Sequence, residues 1–323
     1  MASERLKLVV MGTGPFAVPS FNALLDHDIR LVVTRPAPPV KSRGGPPPSP
    51  VRDWAVHNTL PVFDPVSIND PDSIETVAKE QPDLLVVCDY GQILKPAALA
   101  VARLGCINLH GSLLPAYRGA APVQWAMLNG DPVTGVSVIH MTPRLDGGPV
   151  LCTRETPISD DEDAGQLEER LSAIGVEATL EAVAMLQSWD GQSDIGVPQD
   201  PSRVSKAPRL SKADGEIDWG RSGREISCHV RGMSPWPVAF TFFRSHPEKP
   251  PIRLAVKSVR LTDQTSEGFH SGEIVKTEAG YLVATGDLMV ELISIVPAGK
   301  REMSADAFFR GHQPSEGSRL FSL

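Results

Sequence analysis

Asn108 and His110 stand two residues apart at the end of the apolar run CINLH (106–110). In an extended strand, residues two apart share a face. The amide and the imidazole therefore project together, just before a turn rich in Gly111 and Pro115. Imidazole moves protons near neutral pH, and an amide N–H stabilises an oxygen on which negative charge builds. A carboxylate to orient the imidazole is available at Asp146, in PRLDGGPVL, followed by Gly147 and Gly148. On spacing alone a second reading stays open: Asn108 and His110 cap a strand end, and Asp146 makes an ordinary Asx turn.

The elements that must position these groups are legible in the first half. LKLVVMG (6–12), RLVVT (30–34), DLLVVCD (83–89) and CINLH are short, Val/Leu/Ile-rich and bounded by Gly, Pro or Asp, as buried parallel strands are. PSFNALLDH, VRDWAVHNT and DSIETVAKE between them carry helical spacing. The alternation predicts a doubly wound α/β domain, in which ligands bind beyond the carboxyl ends of strands. GVSVIHM (135–141) and VLCTRETPI (150–158) read as further extended segments, and 164–189 as a long amphipathic helix. The segment 191–219 is dominated by Gly, Pro, Ser, Lys and Arg, as linkers are. A helix at REISCHVRGM and several short strands follow, predicting a small β-barrel.

A rival reading starts at MGTGPFA, where Gly12, Gly14 and Ala17 fit G-x-G-x-x-A after a strand, the dinucleotide fingerprint. Pro15 counts against it, because it removes a backbone donor that a pyrophosphate needs. Four widely spaced cysteines, without a CxxC pair, predict neither a disulfide framework nor a metal site. No apolar run is long enough to span a bilayer, which with the absence of a targeting signature predicts a cytoplasmic protein. The net charge of −8 hides an asymmetry. From Lys206 onward there are 16 basic and 14 acidic residues, against 15 and 25 before it. A basic face in the second half is compatible with the acidic whole.

HGSLLPAYRGAAPVQWA and TGVSVIHMTPRLDGGPVL resemble the methionyl-tRNA formyltransferase family, a branch of the folate-dependent formyltransferases. GTGPFAVPSF, DYGQILKPAAL, RLSKADGEIDW, VRGMSPWPVAF and PAGKREMSADAF extend the resemblance over almost the whole chain. It implies a Rossmann-like formyltransferase domain over 1–190, a basic linker over 191–208 and an OB-like tRNA-binding β-barrel over 209–323. It implies Asn108, His110 and Asp146 as the catalytic group, and Ser112, Leu113, Leu114 and Pro115 as the folate-site loop. The implied formyl donor is 10-formyltetrahydrofolate, with no metal. The implied acceptor is methionyl initiator tRNA, and a monomer without membrane association is expected. Lys206, Arg209 and Lys212, spaced by three, would meet tRNA phosphates. Lys41 and Arg43, in the Pro/Gly loop 35–50, are candidates for the acceptor stem. That loop departs from the family at Ala37, where an Asp is usual, and the position after SLLP, often basic, is Ala116. The alternatives are transfer to a small-molecule amine, hydrolysis of 10-formyltetrahydrofolate, and an NADP oxidoreductase built on the glycine fingerprint.

Overall fold

The computed structural model describes residues 5–37, 49–245, 248–278, 280–315 and 317–322. It divides into two compact units: Met1–Pro122 with Val133–Pro157 and Glu168–Pro208, and Val123–Pro132 with Ile158–Leu167 and Arg209–Leu323.

The first unit is built on strands β1 (Lys7–Met11), β2 (Asp28–Val33), β3 (Val62–Phe63), β4 (Leu84–Cys88), β5 (Cys106–His110), β6 (Arg118–Gly119), β7 (Val133–His140), β8 (Val150–Pro157) and β9 (Lys206–Ala207). Seven of them form one sheet in the order β3-β2-β1-β4-β5-β7-β8, and β6 and β9 pair separately. The apolar runs read from the sequence are the parallel centre of this sheet. β7 and β8 continue it antiparallel; the connection between those two strands, residues 141–149, is too short for a crossover helix.

Helices α1 (Val18–Ala23), α2 (Pro50–His57), α3 (Pro71–Lys79), α4 (Pro96–Leu99), α5 (Pro122–Leu128) and α6 (Ala164–Gln187) follow the strands. α3 and α4 cover one face through Ile74, Val77, Ala98 and Leu99, packed against Val9, Val33, Leu85 and Val87. On the other face, α6 comes so close that a Cβ on Gly175 would lie 2.6 Å from a Leu109 methyl. Strand order reverses between β1 and β4, so the switch-point crevice lies beyond their carboxyl ends.

The second unit contains α7 (Gly223–Gly232), β10 (Phe240–Phe243), β11 (Ile252–Thr265), β12 (Ile274–Thr277), β13 (Gly280–Val283), β14 (Leu288–Pro297), β15 (Met303–Ser304), α8 (Ala305–His312) and β16 (Leu320–Phe321). Its antiparallel sheet runs β12-β13-β14-β11-β10-β16, with β15 on β14. The two ends meet at one bridge, Glu273 to Arg319, where Ile274 N–H donates to Ser318 O and Leu320 N–H to Gly272 O, both at 2.8 Å. This is the OB-like element expected, with its seam reduced to a single bridge. α7 opens on a reciprocal capping box between Ser222 and Glu225. α8, which sequence reading did not separate from its flanking strands, seats Phe308 and Phe309 against Phe243. His229 is not a surface residue but lines a cavity of about 350 Å³ with Trp125, Asn129 and Met233. Burial holds its imidazole below the ordinary range.

Phe243 is fully buried at the centre of this aromatic group. Phe243→Ala is expected to cost about 3–5 kcal/mol of stability, measured by denaturant unfolding. A loss below about 1 kcal/mol would show that the group is not the unit's core.

Candidate active site

Register places Asn108 opposite Ile139 and His110 opposite Ser137 on β7. Ser137 also shapes the turn that follows β5: its hydroxyl donates to Ser112 O and accepts from Leu114 N–H. Ser112 Oγ donates to Ala116 O at 2.7 Å, and the Leu114–Pro115 peptide is cis. Ser112 and Leu114 are thus packed inward, while Leu113 and Pro115 keep partial exposure.

His110 is 6% exposed. Its Nε2 lies 2.9 Å from Tyr117 O. A carbonyl only accepts, so Nε2 carries hydrogen and donates. Nδ1 is left facing Asp146, whose Oδ2 stands 4.0 Å away. That separation exceeds a hydrogen bond. The group orienting the ring is therefore the Tyr117 carbonyl, with Asp146 standing off on the other side. Asp146 Oδ2 accepts from Gly119 N–H at 2.9 Å. The half-buried amide of Asn108 enters no side-chain hydrogen bond among the described residues.

Both residues that face the His110 ring have unusual backbones. Tyr117 has φ +62° and Asp146 φ +46°. For side-chain-bearing residues the left-handed region costs about 1–2 kcal/mol, Asp bearing it better than Tyr. The connection carrying Asp146 doubles back from His140, and a Cβ on Gly148 would sit 1.8 Å from His140 O, so only glycine fits there. The Tyr117 turn is held by the linker. Tyr117 N–H donates to Ser205 Oγ, Arg118 N–H to Ser205 O, and Ala120 N–H to Ala207 O.

The family model for formyl transferase matches residues 5–183, and that for the formyl transferase C-terminal domain matches 209–313. The chain belongs to the formyl transferase family.

Among curated members of this formyl transferase family, the methionyl-tRNA formyltransferase of Rhodopirellula baltica is 56% identical, over 99% of this chain and 98% of its own. That of Acetivibrio thermocellus is 35% identical, over 98% and 99%. The N-formyltransferase of Helicobacter canadensis, solved with folinic acid and dTDP-3-aminofucose, shares the fold. Its TM-score is 0.64 at 15% identity, covering 88% of this chain and 98% of that one. HypX of Aquifex aeolicus, solved with tetrahydrofolic acid, superimposes at TM-score 0.61 and 12% identity, over 97% of this chain and 48% of HypX. Among the described residues no helix is long and apolar enough to cross a membrane. No cluster of three potential metal ligands occurs among them.

Lys206, Arg209 and Lys212 are all exposed, as is Arg203. Lys41 and Arg43 lie outside the described residues. The glycine fingerprint of this formyl transferase is occupied from within. Thr13 N–H donates to Asp89 O, and the Gly14 N–H donates to the Asp89 carboxylate. A carboxylate thus takes the amide that a pyrophosphate would need, which removes the dinucleotide reading.

Sequence reasoning missed Asp89, because nothing in DLLVVCDY distinguishes its carboxyl from an ordinary strand-end acid. It reaches solvent, yet surrounding protein desolvates it and pushes its carboxyl up to about 6, against the Gly14 hydrogen bond. Glu168 on α6 is raised by burial and by Asp89. A raised carboxyl stabilises the fold fully below its unfolded value of 3.8, and that contribution is lost as pH rises through about 6. Asp89→Asn keeps an acceptor for Gly14 and avoids the loss. Its melting temperature is expected to gain on the parent between about pH 4 and about pH 7 and to hold that gain above. Parallel curves through that window would refute the assignment.

Proposed function

We propose that this protein transfers the formyl group of 10-formyltetrahydrofolate to the α-amine of methionyl initiator tRNA, acting as a cytoplasmic monomer. The observation that carries this reading is the full-length similarity to methionyl-tRNA formyltransferases, through both family segments, around a strand end where Asn108 and His110 alternate onto one face and Asp146 Oδ2 stands 4.0 Å from His110.

The residues fit the donor. An unspent amide and an imidazole nitrogen without a direct partner lie beside a turn whose Leu113 and Pro115 offer apolar surface. These side chains, with Ser112 and Leu114 shaping the turn, would hold the folate. When bound, 10-formyltetrahydrofolate supplies the electrophilic formyl carbon. The Asn108 amide donates to the formyl oxygen, and Nδ1 of a protonated His110 donates to the same atom. Tyr117 O holds the ring while this happens, because Nε2 is already committed to it. Asp146 keeps Oδ1 outside its bond to Gly119 and would accept, through a water, the proton that the amine sheds on bonding to the formyl carbon; that proton would return to N10 as the carbon–N10 bond breaks and tetrahydrofolate leaves. Peptide α-amines have pKa values of about 8 and an ester-linked one lies lower, so a neutral fraction is available without a strong base.

The test is incubation with 10-formyltetrahydrofolate and Met-charged initiator or elongator tRNA, followed by assay of formyl-methionine. Formylation of initiator tRNA supports the reading. Release of formate without tRNA dependence, or preference for a small amine, overturns it. Asn108→Ala and His110→Ala are each expected to lower turnover about 100- to 1,000-fold, as loss of one oxyanion donor does, with circular dichroism unchanged. Asp146→Asn should behave similarly. Turnover within twofold of the parent in any of the three would remove that residue from the catalytic group.

Lys206, Arg209 and Lys212 are proposed to meet tRNA phosphates. Their combined replacement by Ala should weaken tRNA binding and reduce the log–log salt slope by roughly one unit for each phosphate no longer neutralised, leaving folate affinity unchanged. An unaltered slope would mean that the run is merely solvated.

A further inference from the structure

We propose that Gln199 is a positioning residue for formyl transfer, holding Asp146 at the distance from His110 that the reaction uses. This rests on the reading of Asp146 as catalytic.

The side-chain amide of Gln199 is fully committed. Its Nε2 donates to Asp146 O at 2.8 Å and to Gly148 O at 2.7 Å. Its Oε1 accepts from Arg118 Nε at 3.0 Å and Arg118 Nη2 at 2.6 Å. Carbonyls only accept and a guanidinium only donates, so the orientation of the amide is unambiguous. No other side chain of this length supplies two donors on one side and an acceptor on the other. Glu would turn a carboxylate on two carbonyls, and Met would leave them and Arg118 unsatisfied.

The carbonyls it grips bracket the turn that carries the carboxylate. Asp146 holds a left-handed backbone, and Gly148 is pressed against His140 O. Such a conformation persists only where its surroundings over-determine it. From the other side, Arg118 is 8% exposed and begins the two-residue strand whose Gly119 N–H binds Asp146 Oδ2. Gln199 therefore ties together both ends of the Asp146 contact: the turn that presents the carboxylate and the strand that receives it. The same linker supports Tyr117 through Ser205, and Tyr117 orients His110. Gln199 touches no reacting atom and acts through Asp146.

The test is a double-mutant cycle of Gln199→Met and Asp146→Asn, with kcat and both KM values measured on methionyl initiator tRNA and 10-formyltetrahydrofolate. Gln199→Met should lower kcat about 10- to 100-fold, the scale of a small displacement in a catalytic group, while both KM values stay within about threefold. Added to Asp146→Asn, it should cost less than about threefold more, because residues acting as one unit are not additive. Gln199→Glu, which keeps the acceptor for Arg118 and loses both donors to the Asp146 turn, should reproduce most of the kcat loss. If Gln199→Met does not fold, the same cycle run with Gln199→Glu decides. A kcat for Gln199→Glu within twofold of the parent overturns the proposal. So does a double variant that shows the full product of the two single losses. If Asp146→Asn alone turns over normally, the catalytic reading of Asp146 fails, and this inference falls with it for that separate reason.

Discussion

A carbonyl oxygen cannot donate, and the site is organised around that fact. Tyr117 O, 2.9 Å from His110 Nε2, commits that nitrogen as a donor and leaves Nδ1 facing Asp146. Remove that contact and the imidazole of a neutral His110 could take either tautomer. The protein maintains it at a cost, keeping a bulky residue in the left-handed region and pinning that residue by both its own amide and its neighbour's. The sheet supplies the first half of the geometry by fixing the strand end. The linker supplies the second half by fixing what the strand end faces.

The switch-point crevice illustrates how one scaffold is kept from a different use. In doubly wound sheets this is where phosphates settle on free amides at a helix start. Here the first turn after β1 is a short 3-10 segment headed by Pro15, and its preceding amide is taken by Asp89. Desolvation makes that carboxyl reluctant to ionise, and its charge in turn helps to raise Glu168 nearby. The fold is common to many chemistries. One acid on a neighbouring strand end is enough to close off one of them.

Much of this was legible in the sequence because the signals were local. The central strands announce themselves as unbroken apolar runs, and Asn108 and His110 share a face by simple alternation. Asp146 was visible as an acid beside paired glycines. What could not be read works through backbone atoms at long range. Tyr117 contributes a carbonyl, which its residue type does not advertise. Gln199 looks like one more polar residue in a linker, yet it bonds to Arg118 across 81 positions and to Asp146 across 53. β6 and β9, at two residues each, fall below any periodicity. Asp89 differs from other strand-end acids only through the mass of protein around it.

The pairing of Tyr117 with Ser205 spans 88 positions. Pairings that far apart close late, because the entropy of the intervening loop is spent before they repay it. All seven strands of the sheet lie at or before Pro157, and α6 then covers its second face. The strand pairing that sets Asn108 and His110 on one face is thus encoded ahead of the linker, which adds the contacts that fix the Tyr117 turn. The turn that orients His110 is complete only with the linker. It marks the completion of the first unit's chain rather than the completion of its core.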